Sequence, residues 1–455
     1  MKIVLIGGGK VGHAIVRQLT REGHDIIVID SQSSVVEEIN NSLDLMAICG
    51  NGANLDVLKE ADAAHADLLI ACTAQDELNI LCCIFGRKLG CANTIARVRS
   101  PEYAEQMYYI KDELGLSMTI NPELNAAREM FSILGIPGVL RRDSFPQSRV
   151  EIVEINAKEG SVLDGLKLPD FNKKLHCKAL VCAIRRGNEV IVPDGSVEIK
   201  AGDKLSVCAR ATEIVKMLNA SGLKLKKAKN IMIIGGSVVA DYLTYLLVKA
   251  GARVKVIERN ANKAAQFAAR YPDVEVICAD GSNEEVLKNE HADQMDAVAT
   301  LTDIDEENLI LSMYLSHEGV PQVITKVNRS EYGSLLADKG VSRLVCPKKL
   351  CADTIVAYVR AMQNTGDSSV LTLHHLVDGR IDALEFNVTS SCRHLGKMLK
   401  DIKFKPNILI ACINRMGKAI IPGGFDSFEE GDTVIVINSS DRVILDLNDI
   451  FVSEG

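Results

Sequence analysis

The chain is written twice, and that constrains its fold more than any single motif. KKAKNIMIIGGSVVADYLTYLL, near residue 230, restarts the pattern of the opening MKIVLIGGGKVGHAIVRQL. Asp30 ends HDIIVID and Glu258 ends ARVKVIE, an offset of 228, and ICGNGANLDVL (48–58) then meets ICADGSNEEVL (277–287) at 229. DLLIACTAQDELNIL (67–81) lies over DAVATLTDIDEENLIL (296–311), which puts Thr73 over Thr302, Asp76 over Asp305 and Asn79 over Asn308. RVRSPEY (97–103) meets KVNRSEY (326–332), and RRGNEVIVPDGSVEIKAGDKL (185–205) answers NRMGKAIIPGGFDSFEEGDTV (414–434). Matches at many points at nearly one offset mean a tandem duplication, so one half predicts the architecture of the other.

Within a half the pattern changes character. The first ~120 residues alternate β-rich runs (KIVLI, DIIVI, LMAIC, LLIAC, TIARV, SMTI) with helical stretches of about ten, the signature of a parallel sheet covered on both faces. From Val11 a stripe of Val11, Ala14, Ile15 and Leu19 is spaced to pack a helix on that sheet. ELNAAREMFSILG follows Pro122 and closes at Gly135 and Pro137; Leu124, Ala127, Phe131 and Leu134 form its apolar stripe. Residues 149–225 are then strand-rich (RVEIVEIN, KALVCAIRR, EVIVP, KLSVCA) with PDGS and AGD turns. The fold class is α/β: each half is a Rossmann-like parallel-sheet N-lobe plus a small α+β C-lobe. The expected N-lobes are 1–121 and 226–345, and the connecting helices with their C-lobes are 122–225 and 346–455. The lysine-rich SGLKLKKAKN (221–230) reads as the linker between halves.

The glycines gain meaning from their context. GxGxxG here follows a strand and opens a helix, and Asp30 ends the next strand. Gly7 permits the tight turn, Gly9 lets backbone amides approach a pyrophosphate, and Gly12 lets helix and strand pack closely. Gly8, Lys10 and Val11 complete the loop, with phosphates expected at the positive end of the helix dipole. Asp30 is placed for a ribose diol. Ser31 and Gln32 follow it, with no arginine at hand for a 2′-phosphate, which favours NAD or an adenine nucleotide over NADP. The second copy has Gly235, Ser237 and Ala240 in place of Gly7, Gly9 and Gly12. Glu258 keeps the acid, but the Ser237 Cβ stands where close approach is needed, so a different or weaker ligand, or none, is expected there.

A hydride-transfer enzyme would need an acid/base group beside the nicotinamide. His13, His24 and His65 in the first N-lobe sit at a helix start, a turn and a loop, where solvation or capping is expected. Asp76, Glu77 and Asn79 follow a strand's C-terminal end, and either contact a nucleotide or neighbouring domain or, for Asp76, cap a helix. The C-lobes carry no metal-ligand cluster and no Ser/His/Asp spacing, so the residues support no reaction. An NAD-dependent oxidoreductase is the alternative reading, and a transcriptional sensor lacks a basic recognition helix.

A net charge of −8 gives no global attraction to nucleic acid or an anionic membrane. No run approaches the ~18–20 apolar residues of a membrane span, and the N-terminal run stops at Gly7, too short for a signal peptide. A cytoplasmic chain is expected. Its thirteen cysteines form no CxxC pair. Cys49, Cys72, Cys208 and Cys278 lie in β-like runs as small hydrophobes, with Cys346 and Cys351 the expected exceptions.

Duplicated halves, each with a glycine loop, an acid at the second strand end, a CGNGANLDVL-like segment, a TAQDELN-like segment and RVRSPEY, resemble the TrkA family of cytoplasmic regulatory subunits of Trk potassium-uptake systems. The resemblance implies tandem RCK (KTN) domains in a non-enzymatic gating subunit. It implies NAD(H), or ATP and ADP, as ligand, and a TrkH/TrkG-type membrane subunit as partner. Assembly as a dimer or tetrameric ring on the inner face of the plasma membrane follows from it, with no nucleic acid involved. Carried over by motif, the first site is Gly7 to Gly12, Asp30, Asn51, Gly52, Thr73, Ala74 and Arg97; Gly235, Ser237 and Glu258 mark the second, where Lys326 replaces Arg97 and loses a bidentate donor. Helices 122–135 and 347–363 resemble the crossover helices through which such domains pair.

Overall fold

The computed structural model describes residues 1–43, 45–135, 138–145, 147–193, 195–222, 228–329, 343–363, 370–440 and 442–452. The heart of the linker (223–227), the end of KVNRSEY (330–332) and Pro137 lie outside them. The chain divides into two compact units, 1–131 with 229–356 and 132–228 with 357–455. Each unit therefore draws one piece from each copy.

In the first unit, β1 (Lys2–Ile6), β2 (Asp25–Asp30), β3 (Met46–Cys49), β4 (Leu68–Ala71), β5 (Asn93–Arg97) and β6 (Met118–Ile120) form one parallel sheet. Its order, 3-2-1-4-5-6, is that of a dinucleotide-binding fold. The helices α1 (Lys10–Arg21), α2 (Ser33–Leu43), α3 (Leu55–Glu60), α4 (Asp76–Leu89) and α5 (Pro101–Ile110) connect the strands, and α6 (Pro122–Gly135) follows. Strands β1 and β4 are buried along almost their whole length, as a sheet covered on both faces requires. The buried stripe of α1 is Gly12, Ile15, Val16 and Leu19. It is rotated slightly from the expected Val11–Ala14 line because Gly12 is the residue pressed against the β1 turn.

In the second unit, β7 (Val139–Phe145), β8 (Val150–Asn156), β9 (Ala179–Arg186), β10 (Glu189–Ile191) and β11 (Lys204–Ala209) pair in antiparallel order 10-9-11-8-7, with α7 (Leu168–Lys174) and α8 (Ala211–Ala220) beside them.

The second copy repeats both pieces. In the first unit, β12 (Asn230–Ile234), β13 (Arg253–Glu258), β14 (Glu275–Cys278), β15 (Ala297–Thr300), β16 (Val323–Lys326) and β17 (Leu344–Val345) run parallel in order 14-13-12-15-16-17. Here α9 (Val238–Lys249), α10 (Ala261–Arg270), α11 (Glu284–Asn289) and α12 (Asp305–His317) connect them, and α13 (Pro347–Gln363) follows. In the second unit, β18 (Val370–Leu376), β19 (Ile381–Asn387), β20 (Ile408–Arg415), β21 (Lys418–Ile420) and β22 (Thr433–Asn438) form the other antiparallel sheet, ordered 18-19-22-20-21. Phe145, Cys182, Cys208, Ala383, Cys412 and Ile435 share one core, so the two C-lobe sheets bury apolar surface against each other. Among the described residues no helix is long and apolar enough to cross a membrane.

Candidate functional site

The three glycines of the first loop do three different jobs. Gly7 sits at φ +98°, and a Cβ there would stand 2.8 Å from the Thr73 amide nitrogen. A Cβ on Gly12 would stand 1.9 Å from the Gly7 carbonyl oxygen. Both positions exclude a side chain because the protein itself occupies the space. Gly9 is the opposite: a Cβ there meets nothing within 4 Å. The space above it belongs to whatever the loop holds.

Gly9 is also the N-cap of α1, which has no side-chain cap and no acid in its first turn. The first amides of a helix have no intrahelical partner, and they carry the positive end of its dipole. A bare, open helix start of this kind attracts phosphate.

The surrounding residues are fixed by the ends of neighbouring strands. Asp30 ends β2 and accepts hydrogen bonds from the Gly8 amide (2.7 Å) and the Gln32 amide (2.9 Å), so one carboxylate pins the loop while facing the crevice. Asn51 accepts from the Ala53 amide at 2.9 Å, and a Cβ on Gly52 would meet Ile6 at 2.3 Å. Asn79 on α4 clamps two strand ends: it accepts from the Thr73 amide and hydroxyl (2.8 and 2.7 Å) and donates to the Arg97 carbonyl (2.9 Å). Arg97 and Arg99 both donate to one oxygen of Glu123, at 2.9 and 3.0 Å. The other Glu123 oxygen and the Arg97 Nε are buried with no hydrogen-bond partner among the described residues.

A cavity of about 1170 Å³ opens over this crevice and continues over the matching crevice of the second copy. Gly7, Gly9, Lys10, Val11, Asp30, Asn51, Gly52, Thr73, Ala74 and Arg97 all line it, with Ser237 from the second loop. Gly8, Gly12, Gly235 and Glu258 are not among its described lining residues; Gly8 and Gly12 shape the loop from beneath. Among the described residues, seven cationic side chains face the cavity against four carboxylates, in a chain of net charge −8. The cavity is thus locally positive, and it suits an anion.

The second loop keeps the frame and caps its own helix. Gly235 sits at φ +100°, and Glu258 accepts from the Gly236 amide (2.6 Å) and the Asn260 amide (2.7 Å), as Asp30 does in the first copy. Ser237, however, caps α9 with its own hydroxyl, which accepts from the Ala240 amide at 3.4 Å. Where Gly9 leaves an amide for a ligand, Ser237 supplies an oxygen of the protein.

Several expectations need correction. Asp76 does not cap α4, whose N-cap is Gln75; it accepts from the Arg99 and Ser100 amides, both at 2.8 Å, and holds the loop after β5. His24 is buried, packed beneath the turn after α1, whereas His65 is solvated and bonded to Asp62. Cys346 and Cys351 are buried, and the exposed thiols are Cys49 and Cys278, the last residues of edge strands β3 and β14. Cys72, read only as core, lines the cavity, donating to the Gly7 carbonyl at 3.2 Å; burial pushes its thiol up to about 12.

Arg99, Glu123 and Lys348 were not picked out from the sequence as parts of this cavity, whereas Lys326 was read as the counterpart of Arg97. Carrying the repeat onward to 122 and 347, where Pro122–Glu123 meets Pro347–Lys348, would have found Glu123 and Lys348. The sharing of one cavity by both loops has no signature in the sequence. It depends on contacts between copies, such as the Tyr242 hydroxyl of α9, which accepts from Asn121 (2.8 Å) and donates to the Arg99 carbonyl (3.0 Å), and Gln18 of α1, which donates to Asp353 of α13 (3.1 Å).

Comparisons with known proteins cover the same ground. The model of the TrkA-N domain matches residues 3–122 and 231–347, and that of the TrkA-C domain matches 152–221 and 383–448. A Trk system potassium uptake protein TrkA homolog of Archaeoglobus fulgidus is 29% identical, with 97% of this chain and 98% of the relative covered. TrkA homolog 1 of Methanosarcina mazei is 30% identical (96% and 97%), and the TrkA protein of Haemophilus influenzae is 28% identical (99% and 98%). Among solved structures, the GsuK RCK domain superposes with a TM-score of 0.64 at 15% identity, over 97% of this chain and 92% of that one. The GsuK channel bound to NAD gives 0.63 at 15% identity, over 97% and 77%. At that identity the likeness is one of fold.

Proposed function

The chain belongs to the TrkA family, with TrkA-N and TrkA-C domains in tandem, and on that premise we propose that it is the nucleotide-reading regulatory subunit of a membrane potassium-uptake system. The observation that carries this reading is the uncapped start of α1 at Gly9, open to a positively lined cavity beside Asp30. NAD(H) is the proposed ligand of the first crevice, and ADP or ATP the competing one. The pyrophosphate would lie on the amides of Gly9 to Val11, and the ribose diol against Asp30. Asn51, Gly52, Thr73 and Ala74 would border the ligand, and Arg97 would meet its far end. The second loop, through Gly235, Ser237 and Glu258, would hold a nucleotide more weakly. NAD in one fold neighbour and ADP in another supports a nucleotide in this crevice.

In this reading no bond is made or broken. The partner is a potassium-translocating subunit of the TrkH/TrkG type, met by a dimeric or tetrameric ring of this chain on the inner face of the plasma membrane, and the names of the relatives support a potassium-uptake role. The ligand acts by differential affinity: a tenfold preference for one conformation supplies about 1.4 kcal/mol per site, and sites in a ring add. Calorimetric titration with NAD, NADH, ADP and ATP, followed by potassium flux through the partner in vesicles, tests the proposal. Saturable binding with a ligand-dependent change in flux is expected. Saturable binding to none of the four, or flux indifferent to all of them, would overturn it.

A further inference from the structure

Charge is shared unequally between the two small lobes. Residues 132–228 carry seventeen Lys and Arg against eleven Asp and Glu, a balance of +6, in a chain of net charge −8. Residues 357–455 carry ten against thirteen, a balance of −3. The whole-chain value therefore conceals a basic lobe.

Much of that charge gathers on one edge. Helix α7 ends in Lys173 and Lys174, with Asp170 in its first turn. The Asn172 side chain accepts from the Ala179 amide at 2.9 Å, which folds the end of α7 onto the start of β9. There the Lys178 amide donates to one oxygen of Glu213 at 2.8 Å, and Lys216 pairs with the other at 2.8 Å. Glu213 lies in the first turn of α8, so Arg210 and Lys216 join the same edge. Lys173, Lys174, Lys178, Arg210 and Lys216 are all exposed, as is Val215. Of the five cations, only Lys216 has an ion-pair partner among the described residues, and that partner, Glu213, is buried. The fold does not require this edge. The second copy holds Lys403 and Lys405 there, but Asn407, Ser439 and Leu445 stand at an offset of 229 from Lys178, Arg210 and Lys216, and Asp446 and Asp449 follow. Like charges held together repel, so a cluster that only one of two equivalent lobes carries is better accounted for by a negative partner than by folding.

We propose that this edge of the first C-lobe rests on an anionic phospholipid surface. The choice of cation favours lipid over protein. Lysine is depleted at protein–protein interfaces, where arginine and aromatic residues are enriched, and four of these five cations are lysines. Clustered lysines suit the diffuse negative potential of lipid headgroups, where each one near the surface adds about fivefold to affinity. This goes beyond the regulatory reading, because the contact is with lipid itself and needs neither a nucleotide nor a membrane subunit.

The test is co-sedimentation of the full chain, without nucleotide or partner, with two kinds of vesicle: phosphatidylcholine alone, and an equimolar mixture of phosphatidylcholine and phosphatidylglycerol. Binding to the mixed vesicles only is expected, and it should weaken as salt is raised. Lys173→Gln combined with Lys174→Gln should weaken it at least tenfold. Lys403→Gln, an exposed lysine of the second C-lobe, should leave it unchanged. The substituted side chains are exposed, so the melting temperature should hold; if the double variant folds poorly, Lys178→Gln should still cost about fivefold. Equal binding to both kinds of vesicle, or the same loss from Lys403→Gln as from the double variant, overturns the proposal. So does binding to neither, and if the double variant then dissociates an oligomer of the native chain, the edge belongs to the acidic surface of a second copy. Nucleotide titration is a separate measurement, so either reading can fail while the other stands.

Discussion

At the scale of single residues, two glycines three positions apart separate folding from binding. Gly12 is enclosed by the protein, since a Cβ would press on the Gly7 carbonyl, whereas a Cβ on Gly9 touches no protein atom within 4 Å. Gly12→Ala should therefore destabilise the chain by about 1–3 kcal/mol, the cost of overpacking a tight contact, and lose nucleotide affinity with it. Gly9→Ala should leave the melting temperature within a degree or so and weaken nucleotide at least tenfold by occupying its space. A thermal melt with and without NAD checks both, and equal effects of the two substitutions on the apo melt would contradict the division. The second loop gives the converse case. Removing the Ser237 cap in Ser237→Ala should cost about 1 kcal/mol of stability and leave the first crevice's affinity for NAD as it was.

At the scale of elements, the prediction concerns a half-buried carboxylate on β19. Asp382 accepts from Arg360, on α13, at 3.1 Å and is paired with the Nδ1 of His375, on β18, at 2.7 Å. Burial pushes its carboxyl up, but His375 and Arg360 together outweigh that and hold it below the usual carboxylate range. A depressed folded value stabilises above the unfolded pKa of roughly 4 and stops doing so as pH falls through the folded value. The native chain should therefore lose this contribution only below about pH 4. Asp382→Asn should cost about 3 kcal/mol at pH 7, by taking a charged partner from the buried Arg360, and should flatten the acid limb of a stability-versus-pH curve from urea melts.

Elements were the most legible level in the sequence. The six β-runs read in the first N-lobe coincide with β1 to β6, and the central ones, β1 and β4, read most plainly because a strand buried on both faces is an unbroken apolar run. In the first copy, the strand that escaped notice is β7, VLRRDSF. Its central charges break the alternation, and their partners lie across the sheet, along the strand and on β18, as where Arg142 meets Glu151, Arg141 meets Asp143 and Asp143 meets His374. Side-chain roles that need a partner far along the chain were hidden in the same way. Asp76 was read as a ligand or domain contact or as a cap, but one of its oxygens accepts from amides 23 and 24 residues away.

At the scale of the molecule, the duplication fixed what each half is and left open how the halves combine. The N-lobes of both copies cluster into one compact unit and the C-lobes into another, an exchange that no local pattern announces. The nucleotide crevice lies wholly in the first unit, since every described residue lining the cavity falls within 1–131 or 229–356. A ligand stabilises only the folded unit that binds it, by about 2.7 kcal/mol at a hundredfold excess over Kd. Differential scanning calorimetry should then resolve two transitions, of which NAD raises one by roughly 5–11 °C, at about 2–4 °C per kcal/mol for a unit of this size. Phosphate-cradle variants such as Gly9→Ala should cut that shift to about half or less without moving the other transition. A single transition that rises as a whole would mean instead that the two units unfold as one, and that binding energy at Gly9 is felt throughout the C-lobe sheets.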